Sequence, residues 1–189
     1  MQKLIVFNHI TLDGYFVDGD GSMNWARIDK EDAEWNAFVA ENANTGEGRL
    51  LFGRVTYDLM IRYWPTPMAI KHDQVVAERM NSLPKVVFSR TLKEASWNNT
   101  RLVKDDMVGD VRRMKRETGD GMTIMGSGTI VSQLASEGLI DEYQVVVNPV
   151  ILGKGRTIFA GVQEKLGLRL KKSRTFNNGC VYLCYEPVA

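Results

Sequence analysis

The most informative segment of the chain is Met122-Thr123-Ile124-Met125-Gly126-Ser127-Gly128-Thr129-Ile130-Val131. Its apolar beginning predicts a buried strand, and Ile130, Val131 and Leu134 give the following helix an apolar face. A glycine-rich turn between a strand and a helix leaves backbone N–H groups unpaired at the positive end of the helix dipole, which suits phosphate. The motif G-x-G-x-x-G is incomplete because Val131 takes the place of its third glycine. The turn alone is weak evidence, since many tight turns use glycine for backbone reasons only.

Strand-like and helix-like segments alternate through most of the chain. The strand-like segments lie near residues 2–8, 49–53, 85–89, 101–104, 122–126, 141–148, 166–176 and 179–186. Helical patterns lie near 30–43 (behind Asp29, with Glu31, Asp32 and Glu34 in the first turn), 54–64, 72–81, 106–117 and after Gly128. Alternation of this kind predicts a parallel sheet with right-handed crossovers. The Asn178-Gly179 pair predicts a hairpin, so the sheet ends in antiparallel strands.

Composition narrows the class of protein. The chain has 189 residues, of which 44% are hydrophobic and 25% charged, and its net charge is +1. These values predict one globular domain over residues 1–189 and no nucleic-acid partner. No apolar run approaches the ~20 residues that span a bilayer, and the N-terminus lacks a signal peptide, so we expect no membrane partner and a cytoplasmic location. The two histidines are not at metal-ligand spacing, so no metal site is predicted.

The loops that follow the parallel strands are expected to share one edge of the sheet, where α/β proteins bind ligands. They are Asn8 to Gly14, Gly53-Arg54-Val55-Thr56, Ser89-Arg90-Thr91 and Gly126 to Thr129. The last three combine hydroxyl groups with arginine or glycine, which are donors suited to phosphate. For any one turn, close packing or ordinary surface charge is the better interpretation, but the three together favour a shared ligand with several phosphates. The segment Gly153 to Thr157 resembles a phosphate loop, but Asn148 replaces its first glycine.

A family likeness runs along nearly the whole chain. It is carried, in order, by Thr11 to Phe16, Leu50 to Asp58, Ser89 to Leu92, Gly126-Ser127-Gly128, Gly138 to Glu142 and Pro149 to Gly155. This set resembles the dihydrofolate-reductase-like family, in particular stand-alone relatives of the C-terminal reductase domain of the bifunctional riboflavin-biosynthesis protein (the RibD C-terminal domain family). The resemblance implies a three-layer α/β fold, whose mixed, mostly parallel sheet has helices on both faces and an antiparallel C-terminal hairpin. It also implies homodimers and NADPH as cofactor.

The resemblance also assigns site residues. The turn Gly126-Ser127-Gly128-Thr129 would hold the pyrophosphate, and the turns at residues 53–56 and 89–91 the adenosine end with its 2′-phosphate. The predicted cofactor-binding set is Ile10, Gly53, Arg54, Thr56, Ser89, Arg90, Thr91, Met125, Gly126, Ser127, Gly128 and Thr129. The predicted substrate-binding set is Asn8, Asp13, Tyr57, Leu152 and Gly153.

The implied reaction is hydride transfer to a pyrimidine- or pteridine-like small molecule, most like 5-amino-6-(5-phosphoribosylamino)uracil. Asp13 is the candidate catalytic residue, with a turn-forming role before Gly14 as its alternative; His9 is the second candidate. Two other functions stay open, a dihydrofolate or pteridine reductase and a non-catalytic nucleotide-binding regulator. A dihydrofolate reductase needs a carboxylate on its first helix to hold the pterin, and Asp32 and Glu34 are near that position.

Overall fold

An eight-stranded sheet forms the centre of the computed structural model, which describes residues 1–26, 32–45 and 48–188. Its strands are β1 (Leu4–Thr11), β3 (Arg49–Gly53), β4 (Lys85–Phe88), β5 (Thr100–Val103), β6 (Met122–Met125), β7 (Glu142–Asn148), β9 (Leu168–Thr175) and β10 (Val181–Pro187). Their order is β5-β4-β3-β6-β1-β7-β10-β9. Neighbours pair in parallel except at β10, which is antiparallel to both β7 and β9. The predicted mixed sheet is therefore confirmed.

Helices cover both faces of the sheet. They are α1 (Ala33–Thr45), α2 (Arg54–Tyr63), α3 (Pro67–His72), α4 (Gln74–Ser82), α5 (Met107–Arg116) and α6 (Gly128–Ser136). On β3, Leu51 packs with residues of α5 and α6, while Leu50 and Phe52 pack with residues of α2 and α4. Side chains alternate between the two faces of a strand, so these helices lie on opposite faces. The three-layer arrangement is confirmed.

The C-terminal strands form the predicted hairpin. Phe176 N–H donates to the Cys180 carbonyl at 3.0 Å, and Gly179 has a φ of +84°. That backbone conformation is nearly free of strain for glycine alone, which explains the Asn-Gly signal. Trp35 and Phe38 of α1 cover the buried face of this hairpin together with Phe176.

Two elements differ from the sequence prediction. The helix predicted near 72–81 is α4, and the short helix α3 before it was not predicted: Pro67 begins α3, and Asp73, in an extended conformation, ends it and caps α4. A second sheet was not predicted and pairs β2 (Tyr15–Val17) with β8 (Arg156–Thr157). For the helix predicted near 30–43, the residue predicted to precede it, Asp29, and one of its predicted first-turn acids, Glu31, lie outside the described residues.

Within the described ranges, no helix has both the length and the apolar content needed to cross a membrane.

Candidate functional site

A cleft of about 750 Å³ opens at the edge of the sheet where β1, β3, β4 and β6 end. The turns predicted to share a ligand meet there. Among the predicted site residues, those that line the cleft are Asn8, Gly53, Arg54, Thr56, Ser89, Arg90, Met125, Gly126, Ser127, Gly128 and Thr129. The small sheet of β2 and β8 adds a further wall through Phe16, Val17, Arg156 and Thr157.

The turns after β3 and β6 are joined by the Ser127 hydroxyl. Its Oγ accepts the Gly53 N–H at 2.7 Å and donates to Thr56 Oγ1 at 2.9 Å. A Cβ on Gly53 would lie 2.8 Å from Ser127 Oγ, and a Cβ on Gly126 would lie 2.8 Å from Thr56 Oγ1. Gly53 and Gly126 are therefore required for the two turns to approach each other, which is the close-packing interpretation for these glycines.

This use of the Ser127 hydroxyl leaves the start of α6 without a cap. Ser127 is the N-cap residue, with a φ of +63°, and its side chain makes no cap hydrogen bond. Its carbonyl accepts the Ile130 N–H at 2.8 Å. The preceding amides, those of Gly128 and Thr129, have no acceptor in the described part of the chain. These two donors lie in residues that line the cleft.

Helix α2 begins in the same way. Its N-cap is Gly53, which has no side chain to cap with, and its first turn contains no acidic residue. Helix α5 also begins at the cleft, but there the Asp106 carboxylate accepts the Gly109 N–H at 2.9 Å. The cleft thus contains two uncapped helix N-termini, which favour an anion, and one that is already occupied by a carboxylate.

Asn8 presents an unused donor to the cleft. It is 4% exposed, and its Oδ1 accepts the Gly126 N–H at 2.9 Å. This bond fixes the amide orientation, so the other group is Nδ2. Nδ2 is one of two buried side-chain polar atoms without a hydrogen-bond partner among the described residues; the other is Trp25 Nε1. An unpaired buried donor costs free energy, so an acceptor on a bound molecule would stabilise this site.

Four cationic side chains line the cleft: Arg54, Arg90, Lys104 and Arg156. Arg54 forms an exposed ion pair with Asp58 at 3.1 Å, whereas Arg90 has no ion pair among the described residues. Lys104 and Arg156 were missed by the sequence reasoning. Arg156 comes from the segment that fails as a phosphate loop, and it reaches the cleft because β8 pairs with β2.

The remaining predicted site residues do not line the cleft. Tyr57 is 2% exposed and its hydroxyl accepts the Trp97 N–H at 2.9 Å, so it is a core residue and its predicted contact with substrate is not supported. Thr91 lies beside Arg54 in a separate shallow depression. The other predicted site residues that do not line the cleft are Ile10, Asp13, Leu152 and Gly153.

Asp13 has the contacts of a turn residue. Its carboxylate accepts the Thr11 hydroxyl at 2.6 Å and the backbone N–H groups of Gly153 at 2.8 Å and Leu152 at 3.2 Å. The Thr11 hydrogen bond is the main cause that lowers the pKa of the Asp13 carboxyl below its usual range. A carboxylate held ionised in this way is a poor proton donor at neutral pH. The geometry favours the turn-forming alternative for Asp13.

The inner wall of the cleft carries His9. Its ring makes edge-to-face contacts with Phe7 and with Trp35 of α1. Burial lowers the pKa of His9 to about 4, so the imidazole is neutral at pH 7. The described residues contain no cluster of three or more His, Cys, Asp or Glu that could hold a metal ion.

The carboxylates at the start of the first helix bind partners outside the cleft. Asp32 accepts the Trp35 N–H at 2.9 Å, and Glu34 pairs with Arg174 at 3.2 Å and with Asn177. Neither lines the cleft.

Comparisons with known proteins show the family and the fold. A family model described as the RibD C-terminal domain matches residues 2–182. The uncharacterized protein YyaP of Bacillus subtilis (strain 168) is 27% identical over 185 residues, covering 98% of this chain and 95% of that protein.

Solved structures share the fold. A putative riboflavin biosynthesis protein from Shewanella sp. PV-4 has a TM-score of 0.77 at 22% identity, with 100% of both chains covered. Dihydrofolate reductase from Enterococcus faecalis, complexed with NADP(H), has a TM-score of 0.63 at 14% identity, covering 99% of this chain and 97% of that one. The predicted family likeness and fold are confirmed.

Proposed function

Because the chain belongs to the RibD C-terminal domain family, we propose that it is an NADPH-dependent reductase acting on a pyrimidine- or pteridine-like small molecule. The reaction is most like the reduction of 5-amino-6-(5-phosphoribosylamino)uracil. The observation that carries the proposal is the meeting of two uncapped helix N-termini, those of α2 and α6, in one cleft beside an unpaired buried amide.

The donors of the cleft fit a dinucleotide. The amides of Gly128 and Thr129, at the positive end of α6, suit the pyrophosphate. Asn8 Nδ2 supplies a donor for a further acceptor on the bound molecule. The Enterococcus faecalis reductase of the same fold binds NADP(H), which supports the same class of cofactor here.

The cations support NADPH over NADH. Arg54 and Arg90 follow separate strands, β3 and β4, and line the same cleft. The 2′-phosphate that distinguishes NADPH carries up to two negative charges, and the guanidinium fork matches phosphate oxygens. Lys104 adds a third cation at the end of the cleft formed by β5 and α5.

When bound, the nicotinamide would supply a hydride to the substrate. The chain's own residues hold and orient the reactants and exclude water. Phe16 and Val17 of β2, together with Met23, provide an apolar wall, and Asp13 ties the preceding turn to Leu152 and Gly153. Asp13 thus positions the wall of the cleft in this proposal.

A pyrimidine is favoured over dihydrofolate. A dihydrofolate site needs a carboxylate on the first helix, and both Asp32 and Glu34 have partners outside the cleft. The inner wall offers the neutral imidazole of His9 in their place.

The test is NADPH binding followed by turnover. We expect the purified protein to bind NADPH more tightly than NADH and to oxidise it in the presence of 5-amino-6-(5-phosphoribosylamino)uracil. Binding of NADPH without turnover of this uracil or of pteridines would favour the non-catalytic regulator. Failure to bind either nicotinamide cofactor would contradict the proposal.

A further inference from the structure

His9 is held in one orientation by its neighbours. It pairs with Val146 of β7 in the sheet register, and its ring centroid lies 5.9 Å from that of Phe7 and 5.8 Å from that of Trp35. The side chain of Asn148, which is 4% exposed, faces the ring from the same strand β7. These contacts leave the imidazole little freedom to rotate.

The amide orientation of Asn148 follows from its hydrogen bonds. Nδ2 lies 3.1 Å from the Ile10 carbonyl oxygen and 3.1 Å from that of Val146. A carbonyl oxygen can only accept a hydrogen bond, so the atom between these two oxygens must be the amide nitrogen. The Cys180 thiol donates to Oδ1 at 3.6 Å, which agrees with this orientation.

The same amide nitrogen determines the tautomer of His9. It lies 3.4 Å from His9 Nδ1 and has no lone pair with which to accept a hydrogen bond. A proton on Nδ1 would therefore point at an atom that cannot accept it, so Nδ1 carries the lone pair and the proton is on Nε2. Within the described part of the chain, His9 Nε2 has no hydrogen-bond partner. The charged imidazolium is disfavoured by burial, which lowers the pKa of His9 to about 4.

We infer that His9 orients the substrate: the Nε2–H of its neutral imidazole donates a hydrogen bond to a ring carbonyl or ring nitrogen of the heterocycle. This inference rests on the proposed function, and it identifies His9 as the group that would recognise hydrogen-bond acceptors on the substrate. A donor fixed in place discriminates strongly, because a molecule lacking the acceptor leaves the N–H unpaired. His9 is not a proton source in this account, since it has no second proton to give.

The tautomer is measured directly by NMR. The chain contains two histidines, and His72 is exposed with its Nδ1 3.2 Å from the Tyr63 hydroxyl, so a His72→Ala variant assigns the imidazole signals. In protein labelled with ¹⁵N-histidine we expect the pattern of an Nε2–H imidazole for His9 from about pH 5.5 to about pH 8. An Nδ1–H pattern, or titration of His9 within this range, would overturn the inference.

Binding of 5,6-diaminouracil to the NADP⁺-loaded protein tests the contact itself. We compare His9→Leu, which removes the donor, with His9→Gln, whose amide N–H reaches about as far as Nε2. Loss of the hydrogen bond is expected to weaken binding of this probe by about 10-fold or more in His9→Leu. We expect His9→Gln to stay within about 3-fold of wild type, and NADP⁺ affinity to be unchanged in both.

The outcomes separate the two proposals. Equal probe affinity of His9→Leu and wild type would overturn the role of His9, and so would a wild type that binds NADP⁺ but not the probe. Absence of NADP⁺ and NADPH binding would instead overturn the proposed function, while the tautomer assignment would still be decided by NMR. Retained NADP⁺ affinity in His9→Leu shows that the variant is folded.

Discussion

No side chain accepts a hydrogen bond from the first backbone amides of helices α2 and α6. In contrast, a side chain caps each of the helices α3, α4 and α5. Thr66 caps α3 through Ala69 N–H, Asp73 caps α4 through Val76 N–H, and Asp106 caps α5 through Gly109 N–H. A cap contributes about 1 kcal/mol, so its omission at two helices has a cost in stability. Both uncapped helices begin in the cleft. The proposed function accounts for the difference, because a bound anion would take the place of the cap at these two helices.

The largest effect is expected when a charge is placed among the uncapped amides. Thr129 is exposed at the second position of α6, so Thr129→Asp would leave the fold intact but repel a phosphate. We expect NADPH affinity to fall at least ~100-fold, or ~2.7 kcal/mol, by calorimetric titration. The matched control is Val75→Asp, at the second position of the capped helix α4, for which affinity should not change. Equal losses in the two variants would contradict the comparison.

A smaller effect is expected at the adenosine end. Replacement of both Arg54 and Arg90 by Ala should weaken NADPH by about 10- to 100-fold, because charge-assisted hydrogen bonds contribute about 1.5–3 kcal/mol. NADH should be affected much less, since it lacks the 2′-phosphate. Arg169→Ala, on the distant strand β9, is the control. Equal affinity of the wild type for the two cofactors would exclude this role for the arginines.

The smallest effect on NADPH binding is expected when the side chain that caps helix α4 is removed. Asp73→Ala deletes the acceptor of the Val76 N–H, so the free energy of unfolding should fall by about 1 kcal/mol in urea denaturation. NADPH affinity should stay within about twofold. A large loss of affinity would show that the capped helices also support the cofactor site.

The sequence predicts the sheet and the meeting of the turns well, because both follow from local patterns. The apolar run before Gly126 predicts a buried strand, and the Asn178-Gly179 pair predicts a hairpin. Each of these patterns is contained in a few residues. Parallel strands then bring Gly53, Ser89 and Gly126 to one edge with no further information.

Other features depend on contacts that no local pattern reveals. The two-residue strand β8 has no periodicity of its own, so Arg156 could not be assigned to the cleft. Tyr57 lies next to a ligand-binding turn in sequence, but the helical rotation of α2 directs its side chain into the core. Helix α6 is uncapped because the Ser127 hydroxyl forms its hydrogen bonds with Gly53 and Thr56. These partners come from a different part of the sequence.

Titration with NADP⁺, followed through the backbone amides in ¹H–¹⁵N NMR spectra, shows whether the cofactor binds at the uncapped start of α6. We expect the amides of Gly128 and Thr129 at the start of α6 to be among those with the largest shifts. The amides of Ala69 and Val76, which are held by caps, should move little. Saturation with NADP⁺ that leaves Gly128 and Thr129 unshifted would show that the cofactor does not bind at this helix N-terminus.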